Sequence, residues 1–118
     1  MARLRKDKQE RREEALRPDP HLGYDRDHLG MYLMERGAWA IAEGQFRRAI
    51  WLNPFEPGFK VHLAWCLARQ GRHRAARAWL QRARAQAPEH PLCRQVEECL
   101  RSVPQKSAAT ASTPPRTR

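Results

Sequence analysis

The chain has 118 residues, room for one small domain with tails rather than two domains. Its 23 lysines and arginines against 13 acidic residues give a formal charge of +10, which suits anionic partners without choosing among RNA, lipid and acidic protein. Residues 1–17 are too charged for a signal core and no apolar run approaches a membrane span. Cys66, Cys93 and Cys99 lack CxxC spacing, so the expectation is a cytoplasmic protein with reduced thiols and no membrane span.

In chain order, residues 1–20 read as a charged arm, flexible or a frayed helix. Pairs such as Asp7/Arg11 support a helix only weakly. The arm is either solvated or folds on an acidic partner or an RNA backbone. Pro18 and Pro20 separate it from the helical region. Helices are expected over about 24–36 and 39–53, with Gly37 supplying the left-handed residue that ends the first. Asn53-Pro54 closes the second, because a residue before proline avoids helical backbone angles. Two more helices are expected over 58–70 and 73–87, broken at Gly71 and closed by Ala87-Pro88. Glu89-His90-Pro91 then opens a helix over about 90–102. Its Leu92, Val96, Cys99, Leu100 and Val103 form an apolar stripe, with Arg94, Glu97, Glu98 and Arg101 turned away. Residues 104–118, rich in Ser, Thr, Ala and Pro, read as a disordered tail.

The four central helices are one unit written twice. Shifted by 34 residues, Leu29 falls on Leu63, Gly30 on Ala64, Leu33 on Leu67 and Gly37 on Gly71. Ala42 then falls on Ala76, Phe46 on Leu80, Ala49 on Ala83 and Pro54 on Pro88. Leu29 and Leu33 share a face of the first helix, with small Gly30 and Ala64 leaving room for a partner helix. In the second helices, alanines alternate with one large residue, Phe46 or Leu80, which fills the groove between close-packed helices.

A period of this length resembles the tetratricopeptide repeat, whose unit is a helix–turn–helix; the resemblance covers about sixty residues. It implies an all-α fold: a short helical repeat (an α-α superhelix) of two helix–turn–helix pairs plus a capping helix. The domain is expected over 21–103, with repeats at about 23–56 and 57–90. Two repeats are fewer than usually close a core, so the helix at 90–102 caps one end. The other end is left to a partner, to a second copy of the chain, or to the segment around Leu16 to Tyr24.

In tetratricopeptide arrays the first helix of each pair lines a concave groove that binds peptides. The resemblance therefore implies a groove presenting Tyr24, Asp27, His28, Met31 and Glu35, then Val61, His62, Trp65 and Arg69. Trp65 and Met31 are the expected anchors for an apolar side chain of a peptide or amphipathic helix. The alternative is that Trp65 packs against the capping helix or Tyr24. The family's carboxylate clamp of lysines and asparagines is not expected, because Asp27, Met31, Val61 and Trp65 stand in those places. His28 and His62 are equivalent in the two repeats and are candidate neighbours across the groove, too few for a metal site. No cofactor, metal or catalytic motif is expected.

Most of the excess charge lies in the second repeat. Between 54 and 87, Lys60, Arg69, Arg72, Arg74, Arg77, Arg82 and Arg84 face only Glu56. Arg74, Arg77, Arg82 and Arg84 are expected to form a basic patch on the convex side, with no aromatic residues interleaved for base stacking. The leading function is a non-enzymatic protein-interaction module, an adaptor or complex subunit. The competing reading is a basic RNA- or ribosome-associated protein using that arginine face.

Overall fold

The computed structural model describes residues 18–101, and Lys8 before them. The arm over 1–17, Val103 and the tail over 104–118 lie outside the described residues, apart from Lys8. Within 18–101 there are five helices and no strand: α1 Tyr24–Glu35, α2 Trp39–Leu52, α3 Pro57–Arg69, α4 His73–Gln86 and α5 Pro91–Arg101. Each begins and ends within a residue or so of its expected bounds, since Gly and Pro punctuate the chain so sharply.

The stops are built alike. After α1, Gly37 adopts φ 78° and donates to Met34 O at 3.0 Å, while Ala38 donates to Leu33 O at 2.9 Å. After α3, Gly71 adopts φ 81° and donates to Ala68 O at 3.0 Å, while Arg72 donates to Leu67 O at 3.0 Å. This paired bonding satisfies the last carbonyls of each helix, and only glycine takes the left-handed angle without a Cβ penalty. The starts of α3 and α5 also correspond. Pro57 and Pro91 stand at the first turns, where the missing N–H costs nothing. Glu56 caps α3 by accepting from Gly58 N at 2.9 Å, and His90 Nδ1 accepts from Leu92 N at 3.2 Å.

Within each pair, α1 packs on α2 and α3 on α4. Helix α3 then lies against α2 and α1, and α5 against α4 and α3. The first helices α1, α3 and α5 thus form one layer, backed by α2 and α4. The core runs through the interface: Ala42, Phe46, Ala49, Ala76, Leu80 and Ala83 from the backing helices meet Phe59, Val61, Leu63, Ala64, Cys66 and Leu67 of α3. Burying one such large side chain stabilises the fold by about 1.5–3 kcal/mol. A Cβ at Gly30 would come within 2.5 Å of the Phe46 ring, so α1 approaches α2 at a distance only glycine allows.

Two expectations about this core are corrected. Leu29 is 42% exposed, because no described element packs on the side of α1 it occupies, whereas its counterpart Leu63 is fully buried. On α5 the buried residues are Cys93, Val96 and Leu100, with Leu92 partly buried and Cys99 exposed. Cys99 lies about 100° around the helix from Leu100 and so turns off the buried stripe.

The loops are fastened by buried polar side chains. Asn53 donates from Nδ2 to Pro20 O at 3.1 Å and Leu22 O at 3.0 Å, and its Oδ1 accepts from Phe55 N at 3.1 Å. Asp19 N adds a bond to Leu52 O at 3.0 Å. The described part of the lead segment is therefore pinned to the end of α2, not laid over the open side of α1. Lys60 is buried, and its Nζ donates to Pro54 O at 2.8 Å and Gln86 Oε1 at 2.6 Å. Burial holds the Lys60 pKa below its ordinary value, with the charge on Arg82 adding to the effect.

Candidate functional site

The expected groove residues divide by what they touch. His28 and Glu35 are exposed on α1 and Met31 is half-buried, packed against the core. Trp65 is 36% exposed on α3. Arg69 is exposed too, its guanidinium 4.9 Å from the centre of the Trp39 ring. Tyr24 stands edge-on to Phe59 with ring centres 5.0 Å apart, and its hydroxyl donates to Glu56 Oε1 at 2.8 Å. That hydrogen bond, helped by desolvation, raises the Tyr24 pKa.

Asp27 and Val61 are the buried members of the set. Asp27 is 6% exposed and Val61 only 1%. Asp27 lies at the α1–α3 seam, whereas Val61 lies on the α5 side of α3. Asp27 Oδ1 sits 2.7 Å from His62 Nδ1, and His62 also lies against Phe46, ring centres 5.7 Å apart. The ring partner of His62 is thus a carboxylate from the neighbouring repeat, not His28, which is exposed. This pairing fixes the His62 imidazole at the edge of the groove. Spacing did not reveal it, because the two residues sit 35 apart and at inequivalent places of the repeat. Among the described residues, no three His, Cys, Asp or Glu side chains gather as a metal set.

Between α3 and α5 the same face opens a small crevice of about 60 Å³, bordered by His62, Trp65, Leu92, Gln95 and Cys99 over a floor of Val61 and Val96. Trp65 stands beside the capping helix and keeps about a third of its surface open. Leu92, Gln95 and Cys99 border this crevice, a place the sequence reading did not give them, since α5 was read only as a cap. Their signal was present in the third copy of the 34-residue spacing, which sets Pro91 opposite Pro57 and Gln95 opposite Val61.

Each of the other tryptophans has an arginine against its ring, although Trp51 is still 50% exposed. Arg69 lies over Trp39, Arg48 over Trp51 at 5.2 Å, and Arg47 and Arg82 flank Trp79 at 5.8 and 4.5 Å. Such contacts contribute about 0.5–1 kcal/mol each when exposed. Trp65 alone of the four has no arginine over its ring among the described residues.

The arginine patch is partly consumed by the fold. Arg77 donates from Nη2 to Leu100 O at 3.0 Å, and Arg84 forms an ion pair with Glu97. Both fasten α5 to α4, the first by holding a carbonyl at a helix C-terminus, where a cation is favoured. Arg82 lies over Trp79, so an aromatic residue does stand within the patch, with Arg47 also near its ring. Arg74 is exposed.

The equivalent place to Arg77 in the first repeat is Glu43, and it does the matching work with opposite charge. Glu43 accepts from Gln70 Nε2 at 3.0 Å, Arg72 Nη1 at 2.7 Å and Arg47 Nε at 2.9 Å. Burial alone raises its pKa, but the hydrogen bonds from Gln70 and Arg47 and the charges of Arg72 and Arg47 outweigh that and hold it below the ordinary value.

Paired helices of fixed period, layered with a capping helix, define a helical-repeat protein with an exposed inner face. The family profile for the tetratricopeptide repeat matches residues 29–91. The chain belongs to the tetratricopeptide repeat family, whose members typically act as non-enzymatic modules for protein–protein interaction. No curated protein and no solved structure matches the chain. Among the described residues, no helix is long and apolar enough to cross a membrane.

Proposed function

We propose that this protein is a small adaptor or complex subunit that holds a segment of a partner protein against the face formed by α1, α3 and α5. The observation that carries this reading is Trp65, partly exposed and uncovered by arginine, at the edge of the apolar crevice between α3 and α5. A crevice of about 60 Å³ suits one aliphatic side chain. An indole beside it offers the flat, rigid contact that dominates interface energetics. Met31 adds an adaptable apolar contact. His28, Glu35 and Arg69 supply charged or polar edges for an amphipathic helix or an extended peptide.

Affinity capture from source-cell lysate, at low and high salt and with nuclease, tests this. A partner that survives both treatments and is lost with Trp65→Ala and Met31→Ala supports the reading. Capture unchanged by those substitutions contradicts it. So does capture abolished by nuclease or by the Arg74→Glu, Arg82→Glu variant, which places binding on the arginine face instead.

A further inference from the structure

One side of α1 is the uncovered version of a contact the chain makes elsewhere. On α3, the stripe Phe59, Leu63, Cys66 and Gln70 is pressed onto the first repeat. Phe59, Leu63 and Cys66 are buried. Cys66 Sγ donates to Trp39 O at 3.1 Å and Gln70 Nε2 to Glu43 Oε1 at 3.0 Å. Thirty-four residues earlier the same places hold Asp25, Leu29, Tyr32 and Arg36. Among the described residues no repeat precedes them. Leu29 is 42% and Tyr32 49% exposed, Asp25 and Arg36 are exposed, and the Arg36 guanidinium lies 4.5 Å from the Tyr32 ring centre.

The composition of this stripe selects its occupant. Eleven of residues 1–17 of the same chain are charged, and the large apolar Leu4 and Leu16 are too far apart to build an apolar stripe. A second copy fits far better. Positions 25, 29, 32 and 36 are symmetric about the point between Gly30 and Met31. Two α1 helices packed antiparallel on a twofold axis therefore set Asp25 against the partner's Arg36 and Leu29 against the partner's Tyr32, each pair made twice. A twofold interface must be self-complementary in this reciprocal way. Parallel packing would instead oppose like charges at both ends. The apolar pairs lie at the centre and the charge pairs at the rim, about 16 Å apart along the helix.

We propose that α1 is a homodimerisation face, binding the α1 of a second copy antiparallel with Asp25 opposite the partner's Arg36 and leaving the inner groove free. Sedimentation equilibrium on the full chain tests it. The wild type is expected to show a concentration-dependent monomer–dimer equilibrium. Asp25→Arg alone and Arg36→Asp alone each weaken it by at least about tenfold, because each opposes like charges. An equimolar mixture of the two variants recovers dimer, since the heterodimer restores both cross pairs. Circular dichroism melts confirm that each variant is folded; a variant that melts early is replaced by Asp25→Lys or Arg36→Glu. The proposal is overturned by a wild type that stays monomeric at every concentration, by a mixture that recovers no dimer, or by a dimer that survives Leu29→Glu. A monomer that dimerises only after removal of residues 1–17 also overturns it, because the arm is then the occupant.

Discussion

Gly30 and Phe46 form a size-matched pair, and their counterparts Ala64 and Leu80 form another with the volume moved across the interface. In the first repeat the large ring reaches a helix without a Cβ; in the second a shorter side chain meets an alanine. Replacing Gly30 by alanine gains about 1 kcal/mol of helix propensity. The overlap with a ring fixed in a fully buried place costs about 1–3 kcal/mol. The net is a destabilisation of about 1 kcal/mol in the wild type. With Phe46→Leu the obstacle is gone, so Gly30→Ala then stabilises. Urea unfolding of the two singles and the double reads this as a coupling of opposite sign in the two backgrounds; an equal effect in both would refute the pairing. The 34-residue correspondence of Gly30 with Ala64 and of Phe46 with Leu80 was legible in the sequence; that Gly30 meets Phe46 was not. What hid from the sequence at this scale were polar partners across repeats, such as Asp27 with His62, because periodicity reports which face a residue is on and not which side chain meets it there.

At the scale of elements, the helices and their ends were legible because Gly37, Gly71, Pro54 and Pro88 dictate backbone angles locally. The attachments between helices were not. Glu43 looked like one charge balancing others, and Arg77 and Arg84 like part of a patch; both places instead grip the helix next in the chain. Glu43 joins α2 to the end of α3, and its lowered pKa gives that joint a pH signature. A carboxylate whose folded pKa lies below its unfolded value adds stability above the unfolded value. That stability is lost as pH falls through the folded value. Chemical denaturation across pH 3–7 should therefore show stability declining below about the ordinary Glu value of 4.5. In Glu43→Gln that acid limb should be shallower. An acid limb of identical slope in the variant would show that other carboxylates carry the effect.

At the scale of the molecule, the array is asymmetric. Among the described residues the array ends with α5, whose exposed Glu98 stands where Gly30 and Ala64 lie against a backing helix. Among the described residues, Leu29 and Tyr32 on the N-terminal side of α1 remain exposed, and the inner layer keeps the crevice beside Trp65. Capping was legible from the polar outer face of α5. Its part in the crevice was not, because Leu92, Gln95 and Cys99 gain their meaning only when α5 lies beside α3. The exposure of Cys99, set against buried Cys66 and Cys93 whose thiol pKa values are raised by desolvation, gives a direct handle on that layer. A photo-crosslinker on Cys99 should trap the captured partner from the inner face. The same reagent on Ala78→Cys, exposed on the outer helix α4, with Cys99→Ser in the same chain, should trap nothing from it. Crosslinking from position 78 with none from 99 would contradict binding on the inner face.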